Sequence, residues 1–355
     1  MLGLLPELAR LAPDDSYLVL AQPDLLEELP ELPRSWVLLP DRAERRRAVH
    51  RLGWEQLALP RLAQRWRADL VLSFGSFVPL RAACPTVLEA GNALPFTPAY
   101  WRALRREAVS RRLEELARWH LLRSSLLAAT RILAPTRAMR QDVVASVPTV
   151  APRVDVALWG VADQFHQQRW ADPSSDVVLG VSKHGINKEF DVLVRALPEL
   201  LRQRPSTTLA LTGTIEESRW AQQSWDLARQ IGVADRVRFV GDVPNRQVPE
   251  LVGGGRVLVF PTWCESFGLP LAEGLAMGAP AVAANIPACR EVGGDAARYY
   301  QPGDAESLAR SILDLLGDGS ARQALSASAR RRGERFRWSH NAEGVYATLR
   351  CAVAA

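Results

Sequence analysis

The chain has 355 residues, 48% of them hydrophobic and 23% charged, with a formal net charge of +5. That length is too great for one ordinary open-sheet domain and comfortable for two, each able to bury its own core, and the composition is that of a globular protein. No uncharged apolar stretch reaches the roughly 18 residues a membrane-spanning helix needs, and the modest basic excess comes without a nucleic-acid recognition module, which argues against nucleic acid as a partner.

In chain order, Met1 to Leu11 lacks a basic leader and a small-residue cleavage site and reads as an amphipathic helix rather than a signal peptide. Tyr17 to Leu20, Trp36 to Leu39, Leu70 to Leu72, Thr86 to Leu88 and Arg131 to Ala134 read as strands, while Glu55 to Trp66, Ala99 to Ala128 and Ala138 to Ser146 read as helices. That alternation predicts a parallel sheet covered by helices on both faces. Between Trp101 and Arg123, Arg102, Arg105, Arg106, Arg111, Arg112, Arg118 and Arg123 outnumber Glu107, Glu114 and Glu115. Three readings fit this excess: a solvated helix face, peripheral contact with an anionic membrane, or a grip on an acidic acceptor.

Val154 to Leu158 leads into a polar stretch ending near Asp176, the best domain boundary. A second alternation follows. Its strands are Val177 to Ser182, Thr208 to Thr212, Val237 to Val240, Arg256 to Phe260 and Pro280 to Ala284, with helices starting near Glu189, Glu216, Asn245 and Pro270. Cys84, Cys264, Cys289 and Cys351 are scattered, with no CxxC pair, which fits a reducing cytoplasm.

The most informative segment is Glu265-Ser266-Phe267-Gly268-Leu269-Pro270-Leu271-Ala272-Glu273, with two carboxylates eight residues apart around a glycine turn and a helix start. Pro270 suits the first helical position because its missing N–H has no partner there anyway. Strand, loop and helix in this order place the loop beyond a strand's carboxyl end, where doubly wound sheets bind ligands. The free N–H groups from Phe267 to Leu271 then favour an anion such as a diphosphate, and Gly268 lets the backbone approach closely. Glu265 is expected at the mouth of the crevice, and Glu273 in the first helical turn, within reach of vicinal hydroxyls of a ribose or sugar. Opposite them, Lys183 and Lys188 follow the second domain's first strand and supply the positive charge a departing diphosphate needs. No Asp-x-Asp occurs, and no acidic or histidine cluster has ligand spacing, so no metal site is expected.

The stretch from Val257 to about Asp304 closely resembles the nucleotide-sugar-binding half of the retaining glycosyltransferases of family 4, the group 1 glycosyltransferases, whose signature is the Glu-x7-Glu element. Ala134-Pro135-Thr136-Arg137-Ala138-Met139, Val156-Ala157-Leu158-Trp159-Gly160-Val161 and Phe336-Arg337-Trp338-Ser339 extend the resemblance over nearly the whole chain. It implies an α/β GT-B fold of two Rossmann-like, doubly wound domains facing across a cleft. These are an acceptor-side domain over 1–165 with the family's first strand missing, a nucleotide-sugar domain over 166–338, and a terminal helix over 339–355 that crosses back to the first domain.

The resemblance further implies a metal-independent retaining hexosyltransferase without a cofactor, using a UDP-sugar or GDP-sugar as donor and a saccharide or lipid-linked molecule as acceptor. It would work in cell-surface polysaccharide or glycolipid synthesis, in the cytoplasm at the inner face of the membrane. Glu265, Lys183 and Lys188 take the catalytic positions, and Glu273, Ser266, Phe267, Gly268, Leu269, Gly213 and Val243 the donor-binding ones. The chain departs from the family pattern with Lys183 where an Arg is usual and Glu189 where a Gly is usual. Gly91 stands at the family's acceptor-domain histidine, so Glu89 or Asn92 would supply that contact. His50, His120, His166 and His340 read as structural or surface residues, and His184 as lining the donor loop. The alternative is a non-catalytic nucleotide-sugar-binding protein with a degenerate acceptor domain.

Overall fold

Short apolar runs set down the strands, and most are joined by stretches that contain a helix and return the chain to the same sheet, as parallel pairing requires. The computed structural model describes residues 3–27, 29, 31–40, 53–75 and 77–355; His50 lies outside the described residues. The chain divides into two units, residues 1–160 with 338–355, and residues 161–337.

In the first unit, β1 (Leu18–Ala21) pairs in parallel with β2 (Val37–Pro40). A second parallel sheet runs in the order β3 (Val71–Phe74), β4 (Thr86–Glu89), β5 (Arg131–Ala134), β6 (Val154–Val156). One core serves both: Val19 and Ala21 of β1 are buried in the same cluster as Val87 of β4 and Leu133 of β5. Leu4, Leu5 and Leu8 of the helix Leu4–Leu11 enter that cluster together with Ala342, Val345 and Leu349 of the helix Trp338–Val353.

The helix expected over 99–128 is two helices, Pro98–Leu104 and Val109–Ala128. Between them the amides of Arg105, Arg106 and Glu107 bond back to the carbonyls of Arg102, Ala103 and Leu104 at 3.0–3.2 Å, and Ala108 turns to ψ 148°, which stops the helical ladder. The stretch 55–66 begins as a wide π-helical turn, Trp54–Ala58, before the helix Leu59–Arg65.

In the second unit a single parallel sheet has the order β12-β11-β10-β7-β8-β9, with β7 Val177–Gly180, β8 Thr208–Leu211, β9 Val237–Phe239, β10 Val257–Phe260, β11 Ala281–Ala284 and β12 Arg298–Tyr300. The strand order reverses between β7 and β10, and the crevice at their carboxyl ends is the switch point where such sheets bind ligands. β10 and β11 are buried along their whole length, as expected of strands covered on both faces.

The change of unit falls at Gly160/Val161 rather than after residue 165. The Val161 amide bonds the Phe336 carbonyl at 2.8 Å, and the Phe165 side chain is fully buried in the second unit. At the amino edge of the second sheet, Asp176 is buried and takes ion pairs from Arg204 and Arg256, so this carboxylate has the partners burial demands.

Candidate active site

Two loops meet at the switch point, one leaving β7 and one leaving β10. They are stitched together by backbone bonds, Glu189 N–H to Pro261 O at 3.0 Å and Trp263 N–H to Asn187 O at 3.0 Å. This stitching carries Lys188 to Glu265, and the two side chains form an ion pair, each mostly buried. Glu265 Oε1 also lies 3.0 Å from the Thr262 hydroxyl and 3.2 Å from the Asn187 amide nitrogen. Glu265 is therefore no solvated loop residue. One of its oxygens is saturated by donors, while Oε2 makes no hydrogen bond among the described residues. Lys188 also sits over the Phe260 ring, 4.4 Å from its centre. One of its three N–H donors goes to Glu265, leaving capacity for a second acceptor.

Lys183 is exposed and forms no ion pair among the described residues, so the two expected cationic residues differ in state: one engaged, one free.

Gly268 caps the helix Leu269–Met277 at φ 94°, ψ 58°, a left-handed conformation that favours glycine. Its Cβ equivalent would meet the Phe260 ring at 3.0 Å. The amides of Gly268 and Leu269 make no hydrogen bond among the described residues. The amide of Leu271, expected to be free, bonds the Gly268 carbonyl at 3.0 Å, so the exposed donor set is shorter than the sequence suggests. Phe267 is fully buried edge-on against Phe336 at 5.6 Å, and Ser266 is buried too; the Phe267 side chain packs the loop down instead of facing a ligand.

Glu273 is the fifth residue of its helix, not part of the first turn, because the helix starts at Leu269, one residue before Pro270. It therefore does not complement the helix dipole, which acts within the first turn. Glu273 is partly exposed as a residue, its carboxyl has no hydrogen bond or ion pair among the described residues, and burial pushes the carboxyl's pKa up to about 8. A carboxyl desolvated without a partner is costly, and such groups cluster at functional sites.

The remaining expected donor residues are placed differently. Gly213, at φ 89°, exchanges both backbone hydrogen bonds with Gly241, at 2.8 and 3.1 Å, so its N–H is spent on joining two loops and is not free for a ligand. Val243, beyond that pair, is half-buried and keeps a free N–H among the described residues. His184 is a packed core residue, stacked on Phe190 at 4.1 Å and donating from Nε2–H to the Thr212 carbonyl at 3.0 Å; burial lowers its pKa.

On the acceptor side, Glu89 closes β4 and accepts from the Trp159 indole N–H, and burial raises its pKa. Gly91 lies against the same indole, where a Cβ would sit 3.0 Å away. Asn92 Oδ1 accepts from the Leu94 amide at 3.1 Å in a local turn. Among the described residues no group of three or more His, Cys, Asp or Glu side chains could hold a metal ion, and no helix is long and apolar enough to cross a membrane.

Sequence reasoning missed Asn187, Thr262 and Tyr300. The first two are small polar residues in the loops that leave the strands bordering the switch point, a position that could have flagged them.

The fold and this arrangement define a doubly wound α/β unit with two glutamates on the loop and helix that follow a strand bordering its switch point. Residues 162–332 match the family model of glycosyl transferases group 1, and the second unit belongs to that family. The chain is 32% identical over 116 residues to O-antigen chain mannosyltransferase B of Escherichia coli, covering 33% of this chain and 30% of that protein. It is 29% identical over 219 residues to D-inositol 3-phosphate glycosyltransferase of Rhodococcus opacus, covering 58% of this chain and 48% of that one. It thus spans from about a third to about half the length of these curated relatives. In fold it is similar to Anabaena HepE, solved with UDP and glucose, at a TM-score of 0.72 and 18% identity over 97% of this chain and 94% of that one.

Proposed function

We propose that this protein is a retaining glycosyltransferase that moves a hexose from a UDP-sugar or GDP-sugar to a saccharide or lipid-linked acceptor, in cell-surface polysaccharide or glycolipid synthesis. The carrying observation is Glu273, a desolvated carboxyl without a partner among the described residues, on the helix that begins at the Gly268 and Leu269 amides, which make no hydrogen bond among the same residues. Ribose hydroxyls are the donors such a group lacks. Glu265 Oε2 takes a hydroxyl of the donor sugar, while Lys183, the spare capacity of Lys188 and the two amides meet the diphosphate. Positive charge from these groups stabilises the leaving group without a metal. The acceptor oxygen bonds to the sugar's C1 on the face that the phosphate oxygen leaves, and the acceptor's proton passes to that phosphate oxygen. The names of the relatives support sugar transfer, and the UDP and glucose held by the Anabaena protein support the donor class.

The same proposal places the protein in the cytoplasm, at the inner face of the membrane. Val109, Leu113 and Leu116 are exposed by 59%, 61% and 44% at spacings that share one face of their helix, flanked by Arg112 and Arg123 without ion pairs among the described residues. An apolar stripe edged by arginine suits an anionic lipid surface.

Calorimetric titration with UDP and with GDP, followed by hydrolysis of UDP-glucose and GDP-mannose, tests the site. Binding of one nucleotide with slow donor hydrolysis is expected. Binding without hydrolysis would leave the non-catalytic nucleotide-sugar-binding alternative, for which Gly91 in place of a histidine speaks. Binding of neither nucleotide refutes the donor site.

A further inference from the structure

Beside the paired loops lies a buried acid and phenol that the donor-site reading does not use. Glu189 is 8% exposed and Tyr300 1% exposed, and the Tyr300 hydroxyl donates to Glu189 Oε2 at 2.7 Å. The Gly303 backbone also hydrogen-bonds the Glu189 carboxyl, so the buried acid has two partners. Each residue touches a catalytic loop. Glu189 follows Lys188 directly and its amide holds the Pro261 carbonyl. Tyr300 ends β12, and its hydroxyl is hydrogen-bonded by the backbone of Thr262.

Thr262 is fully buried, and its hydroxyl lies 2.9 Å from the Asn187 carbonyl and 3.0 Å from Glu265 Oε1. A chain of contacts therefore runs from Glu189 through Tyr300 and Thr262 to Glu265. It begins at a position where the resemblance leads one to expect glycine. A glycine there would leave the Tyr300 hydroxyl and the Gly303 amide without this acceptor, so the carboxylate is what completes the cluster.

We propose that Glu189 and Tyr300 are positioning residues: they fix the Thr262 backbone and so hold Glu265 where its free oxygen meets the donor sugar. The inference rests on the donor-site reading. Of the groups assigned to the nucleotide, Glu273, Lys183 and the Gly268 and Leu269 amides make none of these contacts, and Lys188 is shared through its ion pair with Glu265, so losing the cluster should affect the reacting sugar more than nucleotide binding.

The test compares wild type, Tyr300→Phe, Glu189→Ala and Glu189→Gln. Each is assayed for UDP and GDP affinity by calorimetry, for kcat and KM of UDP-glucose or GDP-mannose hydrolysis, and for melting temperature, with kinetics run well below the lowest melting point. Tyr300→Phe removes one oxygen and leaves the ring's packing, so it carries the test if Glu189→Ala does not fold. The expected result is a kcat lower by about 10- to 100-fold in Tyr300→Phe and Glu189→Ala, the scale of a small misplacement of a catalytic group, with nucleotide affinity within about threefold of wild type. Glu189→Gln keeps an acceptor for the phenol and should recover most of that loss.

A purely structural cluster would lower the melting point and leave kcat within about twofold, which overturns the inference. So does a loss that appears in nucleotide affinity and KM instead of kcat. A wild type that binds neither nucleotide, or binds one and hydrolyses neither sugar, overturns the underlying reading and the inference with it. Variants that match an active wild type overturn the inference alone.

Discussion

Nucleotide binding should expel a proton, and Glu273 is the source. Burial holds its carboxyl at about 8 in the free protein, so at pH 7 about 0.9 of the molecules carry a proton there. Two ribose hydroxyls donating to the group favour its charged form and draw its pKa back toward the ordinary carboxylate range. Binding at pH 7 then releases up to about 0.9 proton, and affinity rises nearly tenfold per pH unit until it flattens above pH ~8. Calorimetry in two buffers of different ionisation enthalpy reads the proton directly. Glu273→Gln separates this proton from the phosphate's own titration: the variant should lose the release and bind about 1.5 to 3 kcal/mol more weakly, the scale of a hydrogen bond to a charged group.

Stability supplies an independent arm. A carboxyl raised above its unfolded value contributes stability that is full below about pH 4.5 and lost as pH rises through about 8. At pH 7 the ionisation penalty has a ceiling of about 3 kcal/mol, and the residue's partial exposure brings the expected gain in Glu273→Gln nearer about 1 kcal/mol. The variant should therefore melt higher than wild type at pH 8 and alike at pH 4.5. Equal proton release in both proteins, with no pH-dependent difference in melting, would refute the role of Glu273.

Lys188→Met leaves Glu265 buried with fewer donors and should destabilise the second unit by about 2 kcal/mol, and Lys188→Met with Glu265→Gln by less than the sum; additive melting shifts would show that the pair is not coupled. Gly268→Ala forces a left-handed alanine against the Phe260 ring and should cost about 1–2 kcal/mol while lowering nucleotide affinity, and an unchanged melting point and dissociation constant would contradict it. Leu113→Glu with Leu116→Glu should abolish co-sedimentation with vesicles of 30% phosphatidylglycerol and leave UDP binding intact; retained sedimentation rules out this face as the lipid contact.

What could be read from the sequence follows the range of the forces involved. The strand Val257–Phe260, the glycine turn and the proline at the helix start act through neighbours in the chain, so the loop carrying Glu265 was legible, and so was the alternation that makes the parallel sheets. The same local logic misplaced Glu273 in the first turn, since Gly268 as cap shifts the count of helical positions. It also joined Pro98–Leu104 to Val109–Ala128, because no glycine or proline marks the break at Ala108.

Pairings made by the sheet were out of reach of such reasoning. Lys188 and Glu265 were both singled out, yet as separate charges for a ligand, because their contact depends on β7 and β10 being neighbours although β8 and β9 intervene in the chain. The same strand order brings Tyr300 to Glu189 across the sheet and turns Gly213 toward Gly241, spending an amide that the sequence offered to the nucleotide. At a switch point the functional groups come from strands that are distant in sequence by construction. A local motif therefore reveals which residues are present, while the strand order decides which of their donors and acceptors remain free among the described residues: Glu265 Oε2, the Glu273 carboxyl, Lys183 and the amides of Val243, Gly268 and Leu269.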